Sequence, residues 1–416
     1  ANPNRKGETM KTFTLFAVLS AVVFSTSTAQ AQILEWIREQ GTSAGDFSYG
    51  VSADGLGNVY NSGATNGNLG GTHFGVADAF ISKHNSSGTL LWTRQLGTSG
   101  NDRSFGVSAD GIDIYVAGGT TGILGNANAG GNDAFLSKYD ASGTRLWTQQ
   151  LGTVGGDVAT SVSSDGLGSV YISGLTDGDL GDANAGNYDA FLSKYDPSGI
   201  LSWTQQLGTA GDDMATSVSS DGLGSVYISG LTDGDLGGAN AGGDDAFLAK
   251  YDTSGNLQWS KQLGTPADDG SYGVSADHLG NVFVVGNTAD PNPDAWVSKY
   301  DSLGNLIWTR HVEAWASDGE GLSADGLGNV YITGQIYEEV NPSLSDAFVS
   351  KYDAHGVLLW THRLDISDSD LSKGVSADGL GDVFVAGFHG EPGLSTAYDV
   401  YVAKYSAVPE PVSYTH

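Results

Sequence analysis

The sequence predicts an all-β chain folded as a seven-bladed propeller of four-stranded antiparallel blades, and three observations carry that prediction. Seven tryptophans (Trp36, Trp92, Trp147, Trp203, Trp259, Trp308 and Trp360) recur at intervals of 49 to 56 residues. Between successive tryptophans lie four short apolar runs rich in β-branched and aromatic residues, each bounded by Gly, Asp, Asn or Ser and too short for a helix. One stretch, ATSVSSDGLGSVYISGLTDGDLG, occupies 159–181 and recurs unchanged at 215–237. Four strands per unit of about 50 residues is the pattern of a propeller blade.

The elements follow in chain order. Met10-Lys11, the apolar run 12–24 and Ala29-Gln30-Ala31 form a secretory signal peptide with Gln32 as the expected mature start, and residues 1–9 lie upstream of it. The apolar run is too short to span a bilayer. Ile33–Gln40 then resembles a Trp strand with no blade before it. Blade two shows the full unit: Phe105–Asp110, Ile114–Gly118, Ala134–Tyr139 and Leu146–Leu151. The first turn carries Asp-Gly, often Asp-Gly-Leu-Gly, where glycine supplies positive φ and the Asp side chain closes an Asx turn. Second strands such as Val170-Tyr171-Ile172 are apolar on both faces, as neighbouring blades stacked face to face require.

Counting strands closes the ring. First strands end at Asp54, Asp110, Asp165, Asp221, Asp277, Asp325 and Asp378, and third strands begin at Asp78, Asp133, Asp189, Asp245, Asp294, Asp346 and Asp399. No Trp strand follows Tyr405, so the N-terminal strand 33–40 is expected to complete the last blade. This predicts one propeller domain over 32–406 and a tail over 407–416. Burial of Leu34, Trp36 and Ile37 at the closure is expected to contribute about 1.5–3 kcal/mol each.

Composition narrows function. A net charge of −30 argues against nucleic acid and anionic membrane surfaces, where Lys and Arg must meet phosphate. It suits solubility or cation binding. Without cysteine, neither disulfides nor thiolate metal sites are available.

The unit GVSADGLGNVYxxG…DAFxSKYDxxGxLxWTxQLG, recurring seven times over 32–405, resembles the SBBP-type β-propeller repeat of bacterial exported proteins. Val408-Pro409-Glu410-Pro411 is similar to the VPEP opening of a PEP-CTERM sorting signal, which implies delivery to the cell surface or extracellular matrix. The apolar helix and Arg cluster of that family are not among Val412–His416.

Candidate chemistry lies in the loops between second and third strands. Asp177, Asp179 and Asp182 in blade three, with Asp233 and Asp235 in blade four, offer the oxygen ligands calcium takes. Blade two has Thr121-Gly122-Ile123-Leu124-Gly125 there, so the loop itself does not need those aspartates. Two rings of Asp, one at Asp78 through Asp399 and one at Asp46, Asp102, Asp157, Asp213, Asp269 and Asp370, are expected to accept loop N–H groups. Blade six has Ser317-Asp318 at the second of these positions. The string Gly41-Thr42-Ser43-Ala44-Gly45 matches G-x-S-x-G but belongs to a repeated turn, with no strand-to-helix elbow to expose a nucleophile. No histidine pair has metal-ligand spacing.

The repeat breaks in blades five to seven. Trp315, Tyr337, Glu338, Glu339, His389 and Glu391 fall on one side of the loop-bearing face and are the expected ligand-binding residues, suited to a sugar or a peptide. The expected function is therefore a non-enzymatic exported scaffold or binding protein of the bacterial surface or matrix. Its expected partners are polysaccharide or surface protein, supported by calcium, with no nucleic acid and no membrane insertion. A secreted glycan-active enzyme using carboxylates of the same face is the alternative, and a purely structural self-assembling unit is the third class.

Overall fold

The computed structural model describes residues 32–289, 293–312, 316–339, 341, 344–367, 369–390 and 398–407. The signal-peptide and VPEP segments lie outside them, as do Trp315 and Glu391. Among the described residues, twenty-eight strands form seven four-stranded antiparallel sheets. Six sheets are consecutive meanders. The seventh orders Gln32–Gln40, Tyr398–Ala407, Val383–Gly390 and Asp370–Ala377, so the N-terminal strand completes the last blade as the strand count predicts. Trp36 pairs with Lys404, and Glu39 with Tyr401.

One expectation at the closure is corrected. Trp36 is buried at 7% exposure against Val59, Phe384, Ala386 and Val402, but Leu34 is 46% exposed and Ile37 only half-buried. Leu34 sits on the outermost strand of its blade, whose outer face meets solvent, and a register shift between Leu34 and Trp36 turns it away from the neighbouring blade. Strand limits are also corrected. In blade two the first strand is Asp102–Ala109 rather than Phe105–Asp110, because Asp102 and Ser104 are buried strand residues. The others run Asp113–Thr120, Asp133–Asp140 and Arg145–Leu151.

The core is a set of seven clusters, each between two neighbouring blades. The one between blades two and three joins Tyr115, Ala117, Ala134 and Leu136 to Val162, Val170, Ile172, Phe191 and Tyr195. The recurrent tryptophan bolts each pair together. Trp92 leans on Tyr60 of its own blade at 6.0 Å, and its Nε1 donates to Ala141 O in the next blade's turn, 3.3 Å away. Lys83 Nζ donates to the same carbonyl at 3.3 Å. The same pair of donors meets Pro197 O, Thr253 O, Ser302 O, Ala354 O and Ser86 O at the other joints. Between blades six and seven no such turn exists, because the two strands of blade seven at this position, Tyr398–Ala407 and Gln32–Gln40, are not consecutive in the chain. There Trp360 Nε1 has no hydrogen-bond partner among the described residues, and Lys351 lies over the Tyr331 ring at 4.8 Å.

Inner strands are joined by a second device. Ser52 Oγ accepts the Ala109 N–H of the next blade, Ser108 that of Ser164, Ser163 that of Ser220, Ser219 that of Ala276, Ser275 that of Ala324 and Ser323 that of Ala377. Ser376 returns the chain of bonds to Ala53, and all seven lie at 3.0–3.1 Å. An innermost strand has no sheet partner on its channel side, so its N–H groups need other acceptors.

Candidate functional site

Each innermost strand carries one β-bulge, and the seven extra residues are Tyr49, Phe105, Thr160, Thr216, Tyr272, Glu320 and Lys373. A bulge leaves its residue unpaired and re-aims the side chain. These seven residues line the central channel. The bulge also explains a glycine in every second strand. It presses a first-strand carbonyl against Gly63, Gly118, Gly174, Gly230, Gly286, Gly334 and Gly387, where any Cβ would lie 1.8–2.0 Å from that oxygen. No side chain fits there.

Inside the channel is a cavity of about 160 Å³, and at its loop-bearing mouth one of about 410 Å³, where Val158 and Leu175 join the bulge residues. The second is the size of a small-ligand site. Its wall is uneven. Tyr49 and Phe105 stand with ring centroids 5.4 Å apart, and Tyr49 stacks on Phe47, which meets Phe388 edge-on. Thr160 and Thr216 spend their hydroxyls on carbonyls of the next blade, Ala215 O and Ser271 O, at 2.7 Å. Opposite in character, Glu320 and Lys373 form an ion pair at 2.5 Å. Beside them Asp318 accepts Asn287 Nδ2 at 2.7 Å, Gln335 Nε2 at 2.9 Å and the Tyr337 hydroxyl. Burial, reinforced by Glu320 and Asp318, pushes the Tyr272 phenol up to about 12, and burial raises Tyr49 and Tyr337 as well. All three are therefore neutral donors at physiological pH.

Of the predicted ligand residues, Tyr337 is tied to this mouth through Asp318. Glu338 and Glu339 are exposed on the loop that follows it. His389 belongs to blade seven, its side chain 12% exposed, 4.0 Å from Glu39 and paired across the sheet with Asp370 and Asp399. The structure thus does not gather Glu338, Glu339 and His389 with Tyr337 into one cluster of side chains.

The acidic loops hold themselves together. Asp177 Oδ1 accepts Gly156 N and Asp233 Oδ1 accepts Asp212 N, both at 2.6 Å. Asp179 and Asp235 cap Asn184 N and Asn240 N at 2.8 Å, and Asp182 is exposed. Among the described residues no three acidic or histidine side chains converge to hold a metal ion.

The Asp ring ahead of the first strands does the loop work expected of it, and the ring ahead of the third strands does so in blades one to four. Asp46 accepts the amide and hydroxyl of Thr42, and Asp102, Asp157, Asp213 and Asp269 repeat this with Thr98, Thr153, Thr209 and Thr265. Asp133 accepts Ala129 N at 2.9 Å and Gln150 Nε2 at 2.8 Å, a pattern shared by Asp78, Asp189 and Asp245. Burial raises the carboxyls of Asp46, Asp157, Asp213 and Asp370 above the usual range. A raised folded-state value means stability that is present once the group is protonated and lost as pH rises through it. Relief of charge repulsion acts in the same direction at net −30. The melting temperature should therefore rise as pH falls from neutrality toward the ordinary carboxylate range. It should fall further down, where hydrogen-bonded carboxyls held low, such as Glu35, are protonated. A melting temperature that drops steadily from neutrality would contradict this.

The bulge ring is what sequence reasoning missed. Its signal was nevertheless present: aligned on the string D-x-S-x-G-V-S, which reads DVATSVS and DMATSVS in blades three and four and SDGEGLS in blade six, the fourth position is Tyr, Phe, Thr, Thr, Tyr, Glu and Lys across the blades. A position free to vary inside a fixed repeat is one whose side chain the packing common to all blades does not require.

Fold and site together define a closed seven-bladed β-propeller with an amphipathic channel mouth. The profile described as "Beta-propeller repeat" (SBBP) matches residues 35–70, 146–181, 202–237 and 258–291, so the chain carries four copies of that repeat. Each match begins in an outermost strand and ends beyond the second strand of the following blade, so the sequence repeat is offset from the blade, as closure by an N-terminal strand demands. The chain is 28% identical over 220 residues to the regulatory protein FlaEY of Caulobacter vibrioides, covering 49% of this chain and 23% of that protein. It is 26% identical over 173 residues to an uncharacterized WD repeat-containing protein, L264, of Acanthamoeba polyphaga mimivirus, covering 34% and 12%. It thus spans less than a quarter of these relatives' length. A crystal structure of a puromycin hydrolase variant shares the fold, with TM-score 0.50, 12% identity and coverage of 86% of this chain and 52% of that one.

Proposed function

We propose that this is an exported, non-catalytic binding propeller of a bacterial surface or matrix, which holds a polysaccharide at the loop-bearing mouth of its channel. The bulge ring carries this reading. It offers the aromatic side chains Tyr49, Phe105 and Tyr272 together with an ion pair and phenol donors. A sugar ring has an apolar C–H face and a polar hydroxyl edge, and an aromatic wall beside fixed polar groups complements both. The signal-peptide pattern before Gln32 supports export.

Calorimetric titration against a panel of neutral and acidic polysaccharides tests the proposal. The variants Phe105→Ala and Tyr272→Ala should bind about tenfold or more weakly, a loss of about 1.4 kcal/mol or more, at an unchanged melting temperature. Equal binding by wild type and both variants would refute it, as would binding of a surface protein and no glycan. Release of reducing sugar by the wild type would move the protein to the enzymatic alternative.

A further inference from the structure

The end of the channel remote from the loop-bearing mouth is ringed by the seven turns that join first to second strands. Each turn is fixed by its aspartate. Asp54, Asp110, Asp165, Asp221, Asp277, Asp325 and Asp378 each accept the N–H two residues on, at 2.7–3.3 Å. That second residue is Leu in six blades and Ile112 in blade two. The seven aliphatic side chains are 63–80% exposed, Leu279 the least and Leu167 the most.

The turns abut one another. A Cβ at Gly111 would meet Leu56 Cδ1 at 3.6 Å, one at Gly328 would meet Leu279 Cδ1 at 4.0 Å, and His278 Nδ1 lies 2.7 Å from Asp221 O. The seven side chains therefore stand on one continuous annulus and form a crown. The turn itself uses the aspartate and the glycines and gains nothing from an exposed leucine. Copying of blades does not account for the side chain either. Blade five has drifted to Asp-His-Leu-Gly and blade two to Asp-Gly-Ile-Asp, and both keep the aliphatic group. A repeated exposed apolar ring marks an interaction surface.

From this crown we infer a docking face for a partner protein that presents an apolar patch bordered by Lys and Arg. Charge selects that occupant. Asp54, Asp221 and Asp277 are buried in their turns, but Asp110, Asp165, Asp325 and Asp378 reach the surface between the aliphatic residues, in a chain of net charge −30. Two copies placed crown to crown would oppose these surface carboxylates to one another, and like charges across an interface are costly. A basic rim gains from the same carboxylates, and interfaces characteristically surround an apolar centre with polar groups. The inference is independent of the channel reading, since it concerns the opposite face.

The test uses a synthetic amphipathic peptide of leucine and lysine, its leucine–glutamate counterpart, and zwitterionic phosphatidylcholine vesicles. These are titrated against wild type and the variant Leu56→Ser/Leu167→Ser/Leu223→Ser/Leu327→Ser. The variant keeps the wild-type net charge, and because the four side chains are exposed its melting temperature should be unchanged. At physiological salt the leucine–lysine peptide should bind the wild type at least about tenfold more tightly than the variant, and the glutamate peptide should bind neither. Equal binding by the variant would reduce the attraction to charge alone and overturn the proposal. So would a wild-type dimer that the variant does not form, or vesicle binding that the four substitutions abolish.

Discussion

Deleting Gln32–Gln40 should abolish the single cooperative unfolding transition and leave an aggregation-prone protein. The strand is the outer member of blade seven, and without it Tyr398–Ala407 becomes an open edge bearing the buried Val400, Tyr401, Val402 and Ala403. An unprotected apolar edge strand templates pairing with other chains. Trp36 alone accounts for much of the effect, since it fills the contact between blades seven and one and donates to Ser86 O at 3.1 Å. Trp36→Ala should cost about 3–5 kcal/mol. Leu34→Ala, on the same strand but half-exposed, should stay within about 0.5 kcal/mol. Calorimetry of the three proteins checks the pattern, and a deletion that melts like the wild type would break the closure argument.

Gly174→Ala should be among the most damaging single substitutions. The new Cβ would sit 1.8 Å from Val158 O, 2.8 Å from Val158 C and 2.9 Å from Phe191 Cε1. Backbone on one side and a fully buried ring on the other leave nowhere to shift, so the bulge at Thr160 must be undone. With it goes the Thr160 hydroxyl bond to Ala215 O that ties blade three to blade four. A loss of about 3 kcal/mol or more is expected, beyond ordinary overpacking. Gly166→Ala is the comparison. That glycine has φ of +65° but nothing within 4 Å of the added carbon. It should cost only the left-handed strain of about 1–2 kcal/mol. Chemical denaturation of both variants decides, and equal losses would remove the bulge as the reason for the glycine.

Architecture was legible because each of its determinants repeats. The Trp spacing counts blades, the Asp turns count strands, and a lone Trp strand at Ile33–Gln40 opposite a missing one after Tyr405 can be reconciled only by joining the ends. The Asp rings were legible for the same reason, since a role served in nearly every blade belongs to the fold. Features that depend on local geometry were not. The start of the first strand is hidden because buried Asp102 and Ser104 look like loop residues in a string of letters. Leu34 reads as core from sequence because apolar alternation cannot tell an outermost strand from an inner one. In the sequence the candidate site falls where the repeat breaks in long loops, at Tyr337, His389 and their neighbours. The structure adds a second set of varying positions, the seven bulge residues, each separated by a whole blade in sequence and brought together only when the ring forms.

The circle of serine hydroxyls on the inner strands has a consequence for how the molecule comes apart. In a linear stack of repeats the terminal unit has one free side, so heat can peel it away while the rest survives. Here Ser376 hands its bond back to Ala53, and no blade is terminal. Parting any two neighbours orphans a backbone donor at the seam and tightens no other contact in return. The propeller should therefore resist fraying until the whole ring fails at once, wherever along the circle the chain happens to begin.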